Sequence, residues 1–146
     1  MKSIQHLVTL LALASVSFTA CKKEKIEDTD PPNPDFVLPV GEAAKILGKW
    51  QIKTITINDH YAGADHIKTY QGTSADYVEF RTDGKMHTFF NGSLDVSNYT
   101  VKSTKQITID TDPATILLMT DTQLKFSSKD ETGTFGFTEI IYDLMR

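Results

Sequence analysis

Few side chains in this sequence have the types and spacing that chemistry requires. His60 and His66 stand six residues apart, each preceded by an aspartate, Asp59 and Asp65. Nitrogen and oxygen donors of this kind suit a divalent metal. Zinc, however, takes three or four ligands at characteristic spacings, and His-x5-His in a polar stretch is not one of them, so no metal is expected. Asp110-Thr-Asp112 offers oxygen ligands for calcium but reads more simply as a strand end and turn. Glu79 and Glu139 fall in predicted strands and would form an acid pair if both pointed inward; solvent-facing positions explain them more simply. The sequence has no Gly-x-Ser-x-Gly elbow, His-Glu-x-x-His pair or phosphate-binding glycine loop. Its one thiol, Cys21, has no catalytic setting. The expectation is a protein that is not an enzyme and carries no cofactor.

What remains is the set of elements that would position a binding site. The 146 residues carry 15 Lys+Arg against 19 Asp+Glu, and 40% are hydrophobic. That length and composition describe one globular domain with room for a tail. An acidic balance without a basic cluster in the core argues against nucleic acid as a partner. A single cysteine excludes an internal disulfide framework.

The N-terminus reads as an address. Lys2 precedes an apolar run from Leu7 to Ala20, shorter than a bilayer span and ended by Cys21. A buried core helix is the competing reading, but the abrupt change to Lys22-Lys-Glu-Lys-Ile-Glu-Asp shares no amphipathic period with it. Residues 22–40 hold four of the five prolines and none of the eight glycines, a composition that favours an extended spacer.

Phe18-Thr19-Ala20-Cys21 resembles the lipobox of bacterial lipoproteins. That resemblance implies a signal peptide over 1–20, cleavage before Cys21, and acylation of Cys21, with a lipidated tether over 21–40. The charged run after the cysteine is similar to that of some surface-exported Gram-negative lipoproteins. The implied location is the bacterial cell envelope, at the outer membrane, with the membrane as partner through the lipid.

From residue 41 the pattern changes again. Gly41–Gly48 reads as one or two helical turns, and thereafter the chain alternates with period two between turn signals. Strands are expected from Trp50 to Thr56, Tyr77 to Arg81, Met86 to Phe90, Asn98 to Val101, Gln106 to Asp110, Ala114 to Met119, Gln123 to Ser127 and Phe135 to Leu144. His60–Ser74 is expected as a long loop. Eight short antiparallel strands make an all-β domain, either an up-and-down barrel or a β-sandwich.

Gly48-Lys49-Trp50, directly after a short helix, resembles the Gly-x-Trp signature of lipocalins. Ile116-Leu-Leu-Met-Thr-Asp-Thr-Gln-Leu124 is similar to a pattern of lipocalin-like envelope lipoproteins. This resemblance implies a lipocalin-like barrel over 41–146 with Gly48, Trp50 and Arg146 at its floor, Arg146 stacking on Trp50. It also implies a small apolar ligand inside, beneath a lid near residues 60–74. If Trp50 faces inward, so should Ile52, Thr54 and Thr56 by alternation. Thr54, Phe80, Tyr99, Phe126 and Phe137 are the ligand-binding candidates, with Phe89 or Phe90 and Leu117 as further inward positions. Aromatic residues of this kind equally make a filled core. In that case the barrel is a scaffold whose loops meet a protein or glycan partner.

Overall fold

The computed structural model describes residues 31–131 and 136–146; the expected signal peptide and Cys21 lie outside them. A short 3₁₀ helix (Gly41–Ile46) leads into nine strands. They are β1 (Gly48–Tyr61), β2 (Ala64–Gln71), β3 (Tyr77–Phe80), β4 (Lys85–Phe90), β5 (Ser93–Ser103), β6 (Gln106–Ile109), β7 (Asp112–Met119), β8 (Gln123–Glu131) and β9 (Phe137–Met145). Every pairing is antiparallel, and β9 returns to β1 from Gln51↔Met145 to His60↔Phe137. That last ladder closes β1 and β3 to β9 into an eight-stranded up-and-down barrel. One continuous ring of hydrogen bonds leaves no second sheet, so the sandwich alternative is excluded. The helix and the β3–β4, β5–β6 and β7–β8 turns lie at one end, called here the closed end. The β1–β2, β4–β5 and β6–β7 turns lie at the open end.

Strand β1 changes partner halfway along. Gly48–Gln51 pair with β3, whereas Thr54–Tyr61 pair with β2 on the same edge. Between them the Ile52 amide donates to the Asp76 carbonyl, and the Gly72 amide donates to the Lys53 carbonyl. The register against β9 slips by one residue between Ile52 and Thr54. A bulge of this kind inserts one residue and reverses the alternation beyond it. Ile55 and Ile57 therefore follow Trp50 and Ile52 on the inner face, and Thr54 and Thr56 turn outward. Thr54, expected inside, is corrected for that reason; Thr56 meets Thr69 of β2 on the outer face, hydroxyl to hydroxyl, at 3.3 Å. Gly72 has to be glycine, since a Cβ there would sit 2.0 Å from the Ile52 carbonyl oxygen.

The segment expected as a loop over 60–74 is mostly strand β2. Ala62 and Gly63 have φ of 53° and 75°, the left-handed pair of a two-residue hairpin turn. All eight β2 residues are exposed, and β1 is their sole strand neighbour. Exposure on both faces explains why no hydrophobic alternation announces this strand.

The closed half of the barrel is filled. Trp50, Phe80, Tyr99, Ile107, Leu124, Phe126 and Leu144 are all 1% exposed or less. Each contributes about 1.5–3 kcal/mol by burial. Phe80 meets Tyr99 and Phe126 edge-on, and Phe126 stacks on Tyr142. At the floor the Trp50 indole donates to the Ile46 carbonyl at 2.8 Å. The Arg146 guanidinium lies 3.6 Å over the Trp50 ring and donates to the Lys45 and Leu47 carbonyls. The arginine thus satisfies carbonyls at the helix end, which the 3₁₀ geometry leaves without partners.

The stretch 31–40, expected as spacer, is held at the closed end. The Asn33 amide donates to the Asp83 carbonyl, and the Phe36 ring packs on Tyr99 at 5.1 Å. Gly84 (φ 80°) leaves the space for Phe36, whose Cβ would be 2.6 Å from a Cβ at position 84. A second bulge, in β7 between Ile116 and Leu118, leaves Leu117 and Leu118 exposed, which corrects Leu117 as an inward position.

Replacing Arg146 with alanine removes the stack and the two carbonyl caps. Arg146→Ala should cost about 1–3 kcal/mol, read as a lower urea midpoint at unchanged slope. An unaltered midpoint would show that the terminal arginine contributes nothing. Trp50 emission should be blue-shifted in both proteins.

Candidate functional site

Strand parity decides which side chains reach the open end of the interior. Facing the axis there are Ile55 and Ile57 from β1, Lys68 and Tyr70 from β2, and Thr88 and Phe90 from β4, each placed by its cross-strand partner. Beneath them lies an interior space of about 150 Å³ bordered by Met86, Thr88, Asp95, Ser97, Ser128 and Tyr142. Burial, and secondarily the negative charge of Asp95, raises the Tyr142 hydroxyl above the ordinary tyrosine value, so it is a neutral donor. This space is too small for most ligands, whose pockets run from about 300 to 1,000 Å³.

A larger groove opens on the flank of the same end. It holds about 720 Å³ and is framed by Tyr70 and Gln71 of β2, Asp76, and Phe89, Phe90 and Asn91 of the β4–β5 hairpin. The groove exists because β3 is only four residues long. Beyond Gln51, β1 pairs with β2 instead, and β2 stands apart from the tip of β4. Tyr70 and Phe90 meet edge-on at 6.3 Å across it. Phe89 faces outward and stacks on Tyr77 at 5.6 Å. The adjacent pair Phe89-Phe90 is thereby resolved without a bulge, Phe90 in and Phe89 out.

Asp76 fastens the floor of this groove. Its carboxylate accepts from the Thr73 hydroxyl and amide, both at 2.7 Å, and from the Asn91 amide at 2.9 Å. The β2–β3 connection is thus tied to the β4–β5 turn. The Thr73 hydroxyl, with the Thr73 and Asn91 amides, holds the Asp76 carboxyl below the usual aspartate range against the opposing effect of desolvation.

The residues singled out by sequence are distributed differently. Gly48, Trp50 and Arg146 meet at the floor, as described above. Phe80, Tyr99 and Phe126 pack the filled half and present almost no surface, so they are core rather than groove. The Tyr99 hydroxyl donates to the Arg81 carbonyl at 2.7 Å. Phe137, expected inside, lies opposite His60 on the outer face, stacked on its ring at 4.9 Å beneath the Lys129 ammonium. It faces outward by plain alternation along β9, where Leu144, Tyr142 and Ile140 take the inner positions and no register shift intervenes. Tyr70 and Asp76 form the groove with Phe90, the inward member of the expected Phe89-or-Phe90 pair. Neither Tyr70 nor Asp76 was singled out, because their meeting depends on strand β2. The Ala62-Gly63 turn was the one available signal for it.

The candidate chemical clusters also separate. His60 hydrogen-bonds Asp65 at 2.7 Å on the outer face, while His66 stacks on Tyr61 on the inner one. Glu79 lies opposite Lys49 and Glu139 opposite Asn58, nine residues apart along β1 and both on the outer face. Asp110 (φ 52°) forms the β6–β7 turn and accepts from the Asn98 amide. Among the described residues no group of three or more His, Cys, Asp or Glu is placed to hold a metal ion. In comparisons with known proteins, no family model and no curated protein matches this chain.

The depressed pKa of Asp76 carries a sign. Its contribution to stability is complete above the ordinary aspartate value of 3.8 and is lost as pH falls through the lower, folded value. Asp76→Asn should therefore lower the melting temperature at neutral pH, with the gap to wild type closing as pH falls through the depressed folded value. A gap that stays constant with pH would assign the effect to shape rather than charge.

Proposed function

We propose that this chain is a lipid-anchored, non-catalytic protein of the bacterial envelope that holds a small apolar or amphipathic ligand in the groove beside β2. The groove itself carries the reading: about 720 Å³, walled by Tyr70, Phe89 and Phe90, above a barrel that is otherwise packed. Burial of a ligand's apolar surface there is worth about 25 cal/mol per Å². The Gln71 side chain and the Thr69 hydroxyl at the border of the groove are the polar groups left to orient a ligand, since Asp76 engages the Thr73 hydroxyl and the Asn91 amide. Support for the anchor is the resemblance of Phe18-Thr19-Ala20-Cys21 to a lipobox, and the same resemblance supports the outer membrane as location. The lipocalin-like kinship is supported by the Gly48-Lys49-Trp50 pattern together with the Trp50–Arg146 stack.

A second reading belongs to a different class, a filled barrel whose exposed edge meets a protein or glycan. The observation that favours it is β2, which has an unpaired edge and eight exposed residues.

Organic extraction of the purified protein followed by mass spectrometry separates the two. The ligand reading expects a stoichiometric apolar molecule, and Tyr70→Ala or Phe90→Ala should each weaken binding of a fluorescent apolar probe about tenfold. A clean extract after incubation with envelope lipids, together with probe affinity that ignores both substitutions, favours the scaffold reading. For the anchor, the mature chain should be heavier than its sequence by its acyl groups, and Cys21→Ser should release it from membranes.

A further inference from the structure

We infer that the closed end of the barrel is a membrane-facing surface, which seats on an anionic bilayer and turns the open end and its groove away from it. The inference rests on the anchoring reading and adds an orientation to it. Three observations meet at this end.

The first is apolar exposure. Of the nine large hydrophobic residues exposed among the described residues, Val37, Leu38, Val40, Leu117, Leu118 and Met145 lie at the closed end. Val37 and Val40 are 77% and 80% exposed. Residues 37–40 run between two features of that end, from Phe36 on Gly84 to the helix whose Lys45 reaches Asp121 of the β7–β8 turn. Leu117 and Leu118 border the same side as Glu42 of the helix, in a depression of about 350 Å³. The β7 bulge places both leucines outside the core, a costly arrangement for a surface that meets only water.

The second is charge. Lys102 and Lys105 are exposed at the β5–β6 turn, and neither forms an ion pair with a described residue. Lys45, Lys49, Arg81, Lys85 and Arg146 stand at the same end against Asp35, Glu42, Glu79, Asp83 and Asp121, of which Glu42 and Asp121 are engaged by Lys45 and Asp83 by Arg81. The open end bears Asp59, Asp65, Asp95, Asp110, Asp112, Asp130, Glu131 and Glu139 against Lys68 and Lys129. A net charge of -4 thus hides a dipole whose positive pole suits anionic headgroups. Basic side chains around apolar ones are the composition of interfacial binding.

The third is the path of the chain. Asn33 and Phe36 are pinned to the β3–β4 turn, so the segment from Cys21 reaches the body at its closed end. The twelve residues from Cys21 to Asn33 span at most about 43 Å. A lipid on Cys21 therefore tethers this end and not the other.

Amine-reactive footprinting read by mass spectrometry tests the orientation. The chain without residues 1–20 is coupled through Cys21, its one thiol, to a maleimide phospholipid on phosphatidylglycerol-containing vesicles, so the test does not depend on natural acylation. Lys102 and Lys105 should react at least about threefold more slowly on vesicles than in solution, with Lys68 and Lys129 unchanged. Leu117→Ser with Leu118→Ser should reduce the protection, and both positions are exposed, so folding is checked simply by unchanged Trp50 emission. Equal reactivity at both ends, or protection of Lys68 and Lys129, would overturn the inference. Protection of Lys102 and Lys105 without vesicles, accompanied by a doubled mass in light scattering, would overturn it in favour of a second copy on this surface. Failure of the anchoring reading shows separately, as a mature chain with unmodified Cys21.

Discussion

The bulge at Lys53, with Gly72 pressed against the Ile52 carbonyl, controls what happens at the open end. Below it β1 is an ordinary barrel stave between β9 and β3. Above it the same strand presents its opposite parity to the interior and takes β2 as neighbour. Because β3 stops at the handover, the wall parts, and the gap between β2 and the β4–β5 hairpin becomes the groove. Asp76 holds the gap at fixed width through three hydrogen bonds. An inserted residue in one strand thus decides both where a ligand can lie and which side chains it would meet.

The closed half has the opposite logic. Trp50 and the aromatic cluster of Phe80, Tyr99 and Phe126 consume the interior, and Arg146 seals the floor by stacking and by capping helix carbonyls. An eight-stranded barrel is just wide enough for its own side chains or one small ligand. Here the two uses are divided along the axis, with solid packing below and restricted space above. Filling one half supplies the burial that stabilises a small domain, and it leaves the open end free to carry polar and strained features.

The surface follows the same axis. Exposed apolar residues and lysines without an ion pair to any described residue gather where the chain from Cys21 joins the body, and carboxylates gather around the opposite rim. A whole-chain charge of -4 says nothing of this separation, because a sum carries no positions. Function that depends on orientation is written in the placement of charges rather than in their sum.

Sequence alone determined the architecture well. Period-two alternation and turn residues located all eight barrel strands, while the expectation of Gly48, Trp50 and Arg146 at the floor came from the resemblance to the Gly-x-Trp signature. Local interactions are legible in this way, since alternation reports burial and glycine reports a turn. Three things needed the tertiary structure. Thr54 faces outward because a bulge inverts the parity of β1, and the bulge is specified by Asp76 and Gly72, some twenty residues away. Strand β2 is exposed on both faces and so lacks the hydrophobic period that marks a strand. The groove, finally, is a space between elements that are not bonded to each other. Its walls come from β2, the β2–β3 connection and β4, and no local pattern records a distance between segments that only the closed ladder brings together.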